Sequence, residues 1–115
     1  MDSGQITVNG AVYPIKRATF DLAAGANADA VAAVTGKKIR VIGLAASGGT
    51  TAAGTTITLR SATTAKTPAL IMVFGTNLVY PFGPNIAETV AGEALNVLVG
   101  AGALASGILW YVETD

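Results

Sequence analysis

Lys38-Ile39-Arg40-Val41-Ile42-Gly43-Leu44-Ala45-Ala46 is the stretch whose reading decides the fold. In an extended chain successive side chains point to opposite faces. Ile39, Val41, Gly43 and Ala45 then share one face, and Arg40, Ile42 and Leu44 share the other. Both faces are apolar toward the middle of the run, which predicts a strand lying between two covered surfaces.

Working outward, the same period recurs. Residues 55–60 alternate cleanly, with Ile57 and Leu59 inward and Thr56, Thr58 and Arg60 outward. Residues 93–99 put Leu95, Val97 and Val99 inward and Asn96 and Leu98 outward. Residues 108–113 set Ile108, Trp110 and Val112 on one face, and residues 17–22 set Ala18, Phe20 and Leu22 on one face. Residues 69–74 and 78–82 read as continuous apolar strands, and 28–34 reads as a strand because it is short and runs into Thr35-Gly36. Asn9-Gly10 is a hairpin signal between residues 6–8 and 11–15. Residues 48–54, 61–67 and 100–107 read as loops, and Gly83-Pro84-Asn85 as a turn. Short strands separated by turn residues predict an all-β protein. The count of about eight is that of an antiparallel two-sheet jelly-roll sandwich. The expectation is a single domain over 1–115, with 1–15 as an N-terminal arm.

Charge is scarce. Only seven Lys or Arg and seven Asp or Glu occur in 115 residues, and none of them lies between Glu93 and Glu113. A free monomer of this size has about 5,800 Å² of surface, and designed or natural soluble surfaces carry roughly 25–35% charged residues. The shortfall predicts that other subunits or a membrane cover part of the chain. Three charge-free windows, 41–59, 67–87 and 94–112, are long enough to span a bilayer. Each is broken by Gly, Pro or Asn, including Gly48-Gly49, Pro68, Pro81, Pro84 and Asn96, and such breaks leave backbone groups unpaired in lipid. Subunits are therefore the expected cover, with no membrane partner. The first residues, Met1-Asp2-Ser3-Gly4, have neither a basic nor an apolar region of an export signal.

The residue inventory argues against catalysis. With no His and no Cys, Ser-His and Cys-His nucleophile systems are closed. A Ser-Lys pair from Ser47, Ser61 or Ser106 with Lys37 or Lys66 lacks any motif that joins them. Glu88 and Glu93 flank Gly92 and could offer oxygens to Ca²⁺, but two carboxylates fall short of the six or more oxygens that ion takes. Gly36-Lys37-Lys38 continues into Ile39, not into the Ser or Thr of a phosphate loop. No enzyme activity, cofactor or metal is expected.

Binding surfaces are easier to name. Lys16, Arg17, Lys37, Lys38 and Arg40 are five of the seven basic residues. They suit docking on an acidic protein surface, and they equally suit guarding strand edges against stray pairing. The zero net charge and the lack of interleaved aromatics argue against nucleic acid. Ile42, Leu44, Leu98 and Leu109 are apolar at outward positions and so are candidates for contacts between copies. Tyr111 lies opposite Trp110 in the alternation, so one of the two faces away from the core and can anchor an interface. Tyr80, Phe82, Trp110 and Tyr111, with Asn77 and Asn85, could instead form a glycan platform.

Four segments carry a resemblance: Val34-Thr35-Gly36-Lys37-Lys38-Ile39-Arg40-Val41, Tyr80-Pro81-Phe82, Glu88-Thr89-Val90-Ala91-Gly92-Glu93-Ala94-Leu95-Asn96-Val97 and Gly107-Ile108-Leu109-Trp110-Tyr111-Val112. Their order is similar to that of small jelly-roll virion proteins of tailed bacteriophages, over about two-thirds of the chain. That resemblance implies a homotrimer acting as a capsid decoration (cement) protein, with the major capsid protein or another virion protein as partner. It equally allows a receptor- or glycan-binding fibre or spike module. It implies residence on the virion after synthesis in the host cytoplasm.

Overall fold

The computed structural model describes residues 4–8, 10–48, 55–72, 77–80 and 86–115. The chain is all-β. Among the described residues there are twelve strands: β1 Gln5–Val8, β2 Ala11–Pro14, β3 Lys16–Leu22, β4 Asn27–Val31, β5 Lys38–Gly48, β6 Thr55–Ser61, β7 Thr64–Ala65, β8 Leu70–Met72, β9 Asn77–Tyr80, β10 Ala87–Glu88, β11 Leu95–Val99 and β12 Ala105–Thr114. Phe74, the 81–85 turn region and most of the 48–54 loop lie outside the described residues.

Every pairing among the described residues is antiparallel. One sheet runs β10-β5-β12-β3, with β9 also on β5, and the other runs β4-β11-β6-β7, with β8 also on β6. The pairs are nested: β3 with β12, β4 with β11, β5 with β9 and β10, β6 with β7 and β8. From β3 to β6 the chain alternates between the sheets, and β11 and β12 alternate again. The sheets share one core, to which Phe20, Ile39, Val41, Leu44 and Leu109 come from the first and Val31, Ile57, Leu59, Leu95, Val97 and Val99 from the second. Burying a side chain of this kind stabilises the fold by roughly 1.5–3 kcal/mol.

β5 departs from strict alternation. Gly43 pairs with Trp110 and Val41 with Tyr111, so Ile42 is an extra residue, a bulge. Ile39 and Val41 face the core below it, and Leu44 and Ala46 face the core above it. The predicted face of Ile39, Val41, Gly43 and Ala45 is therefore split at Ile42. Leu44, expected outward, is fully buried in the shared core, and so is Leu109. Ile42 does point away from that core, yet it is 1% exposed because a second cluster covers it. That cluster joins Ile42, Ile15 and Val112, with Ile6, Tyr13 and Trp110 packed on them. It seats the β1–β2 hairpin on the outer face of the first sheet, turned through Gly10 at φ 82°.

Two smaller differences follow from side-chain size. Residues 100–107 were expected as a loop, but β12 begins at Ala105. A Cβ on Gly107 would stand 2.7 Å from the Ala45 carbonyl oxygen and from Phe20 Cζ, and 2.9 Å from Ala46 Cβ. Glycine here is a close-approach residue inside a strand. The 61–67 loop contains the short β7, reached through Ala62 at φ 52°.

Candidate interaction surface

The basic residues are gathered by three strands of the first sheet. Lys16 opposes Tyr111, and Arg17 opposes Trp110, across the β3–β12 pair. Lys38 and Arg40 oppose Thr114 and Val112 across the β5–β12 pair. Lys37 sits just before β5, after a turn in which its N–H donates to the Val34 carbonyl and Gly36 takes φ 75°. This turn is what the Gly36-Lys37-Lys38 run forms.

Acidic residues partner most of this cluster. Lys16 Nζ donates to Glu113 Oε1 at 2.8 Å, Arg40 Nε donates to Glu88 Oε2 at 2.8 Å, and Lys37 pairs with Asp115. The hydrogen bond from Lys16 to Glu113 raises the Lys16 pKa, against an opposing effect of burial. Asp115 raises that of Lys37 in the same way. Arg17 is exposed and Lys38 half-buried, and neither has an ion pair among the described residues. Tyr111 is half-buried against the shared core, and burial, with Glu113 adding, raises its phenol pKa. Trp110 packs on the second cluster, beyond the sheet. Leu98 is half-buried on the outer face of the second sheet, opposite Thr58.

The 86–93 segment is strapped to the same end. Ile39 N–H donates to Thr89 Oγ1, Thr89 N–H to the Ile39 carbonyl, and Gly92 N–H to the Lys37 carbonyl. Ser61 Oγ donates to Glu93 Oε1 at 2.5 Å and accepts from Val90 N–H. Glu88 and Glu93 thus engage Arg40 and Ser61 separately and do not converge on one cation. The Ser61 and Ser106 hydroxyls donate to carboxylates, Glu93 and Asp21.

Across the second sheet lies a network that alternation alone did not reveal. Arg60 donates twice to Asn96 Oδ1, and Asn96 Nδ2 donates to Asn27 Oδ1 and Asp29 Oδ1. Asn96 points away from the core but stays 5% exposed under these partners.

These positions reveal a segregation of charge. On the first sheet every charged residue lies level with Gly43 or nearer the Lys38 end of β5, except Asp21, which opposes Ser106 near the Gly48 end. On the second sheet Asp29 and Arg60 lie toward the Ser61 end, with Lys66 and Glu93 beside it, and the strap joins that end to Lys37. Seven basic and five acidic residues therefore share one half of the molecule. The other half holds Asp21 alone among the described charged residues, with Val79 62% and Ile71 73% exposed.

On the outer face of the first sheet, beyond the hairpin, this uncharged half carries an open groove of about 350 Å³ lined by Ala45, Ala46, Ser47, Val79, Ser106, Gly107 and Ile108. No helix is long and apolar enough to cross a membrane among the described residues.

No protein-family model matches the chain, and no curated protein matches it. A solved structure of the disulfide-linked pili that form Bacillus endospore appendages is similar in fold. Its TM-score is 0.54 at 14% identity, over 88% of this chain and 86% of that one. The likeness is to a small β-rich structural protein.

Proposed function

We propose that this chain is a non-enzymatic structural subunit that works by assembling with its own copies, as a homotrimeric jelly-roll protein that decorates the capsid of a tailed phage. The observation that carries the reading is the segregation of charge. One half of the molecule can be solvated by its charged side chains; the other half has one described charged residue and is suited to burial between copies. The nested pairing of β3–β6 with β7–β12 supports the jelly-roll assignment, since an antiparallel ribbon rolled into two sheets gives this order. The charged half then faces the shell. Arg17 and Lys38, outside the ion pairs, are the residues proposed to meet an acidic capsid surface and set register. Residence on the virion belongs to the same proposal.

Co-sedimentation with heads lacking the protein tests it. Saturable binding that weakens with salt and is reduced at least tenfold in an Arg17→Glu/Lys38→Glu variant supports decoration. No binding by the assembled wild-type protein overturns it.

The pilus likeness favours a second reading, a subunit of a fibre or filament. The 115 residues contain no Cys, so such a polymer would be held without disulfides. Electron microscopy of the concentrated protein separates the two: discrete trimers favour decoration, and rods favour the filament.

A further inference from the structure

We infer that copies of this chain meet through the groove on the uncharged half of the first sheet, with Val79 of one copy entering the groove of the next. The inference rests on the self-assembly reading above and assigns its contact surface. The outer face of this sheet has two parts. Toward the Lys38 end, the chain's own β1–β2 hairpin covers Ile42, Val112 and Trp110. Toward the Gly48 end, the same strands run on past the hairpin, and the half-buried Ala45, Ser106 and Ile108 extend that face along β5 and β12. Their inward neighbours, Leu44, Ala46 and Leu109, fill the core, so the face is rigidly backed.

The groove has an apolar ridge and a floor of small side chains. Val79, on β9 opposite Ala45, stands at its rim and is 62% exposed. The small side chain of Ala45 leaves the depression beside it, and Gly107 meets the groove from the other side of the strand, its Cβ position pointing at Phe20 in the core. Charge selects the occupant. A charged partner surface would lose its hydration here and meet no counter-charge among the described residues beyond Asp21, which already accepts a hydrogen bond from Ser106 Oγ. An uncharged surface with a projecting apolar residue fits, and each copy of this chain carries one at this same place. Ridge and groove are different parts of one surface, so the contact is head-to-tail; a repeated rotation of one-third of a turn closes it as the trimer proposed above, and a rotation that does not close gives a filament.

The test uses the full chain and measures mass in solution for wild type, Val79→Lys, Ile108→Glu and Val90→Lys. Val90 is 51% exposed in the charged half and serves as the control. Thermal unfolding verifies that each variant is folded; Val79→Lys, at an exposed position, keeps the test usable if Ile108→Glu fails to fold. The expected result is a trimer for wild type and Val90→Lys, and a fall to one-third of that mass for Val79→Lys. A Val79→Lys trimer would overturn this surface while leaving self-assembly intact. A monomeric wild type would overturn the self-assembly reading, and this inference with it.

Discussion

Arg60 and Asn96 are joined by two hydrogen bonds to one acceptor: Arg60 Nε and Nη2 donate to Asn96 Oδ1 at 2.9 and 2.7 Å. The amide nitrogen of the same side chain reaches Asp29 Oδ1 at 3.0 Å and Asn27 Oδ1 at 3.2 Å. One buried amide thus ties β6, β11 and β4 together on the face away from the core. Losing a buried hydrogen-bonding partner costs about 1–3 kcal/mol. Asn96→Ala is expected to lie toward the lower end of that range, because the freed Arg60 and Asp29 can turn to water. A lowered urea midpoint with an unchanged slope is the expected result. An unchanged midpoint would mean that the network does not stabilise the fold.

Gly107 is expected to refuse even one added carbon. Its Cβ position lies against backbone oxygen as well as against Phe20, and a backbone atom gives way less readily than a side-chain tip. Overpacking of this kind costs typically about 1–3 kcal/mol. Each kcal/mol lowers the Tm of a domain of this size by roughly 4–8 °C. Scanning calorimetry of Gly107→Ala measures this directly, and a Tm equal to wild type would contradict the close packing of β12 on β5.

Alkaline pH is expected to weaken the fold. The Lys16 pKa is raised above its ordinary 10.5 by Glu113, and the Tyr111 pKa above its ordinary 10.0 by burial. In both cases the folded state holds its proton more tightly than the unfolded state. Their stabilisation is therefore fully present below the ordinary values and lost as pH rises through the raised ones. Lys16 is largely exposed and its share is small. Urea midpoints measured at pH 8 and at pH 11 are expected to fall, and Tyr111→Phe is expected to fall less than wild type. An equal fall in both proteins would remove Tyr111 from the account.

Much of the fold can be read from periodicity. Thr55–Ser61 alternates buried and half-buried, as its threonines and aliphatics imply. β5 cannot be read so, because a strand with apolar residues on both faces gives no phase. The bulge at Ile42 moves Leu44 into the core, and only the partner strand reveals it. Leu109 cannot be placed from its pattern because its neighbours Ile108, Trp110 and Val112 are equally apolar; in the structure they form the outer face and Leu109 the inner one. Residues 100–107 look like a loop for the same reason that part of them is a strand, since small residues allow close approach. The interaction surface was least legible. Lys16 and Glu113 are 97 residues apart in sequence, and the gathering of charge at one end exists only after β3, β5 and β12 pair.

Mass in solution by light scattering, at low and at high salt, tests the central claim most directly. The account predicts a trimer near three times 11.5 kDa that persists at high salt, because an uncharged contact has little to screen. A stable monomer at micromolar concentration would contradict it.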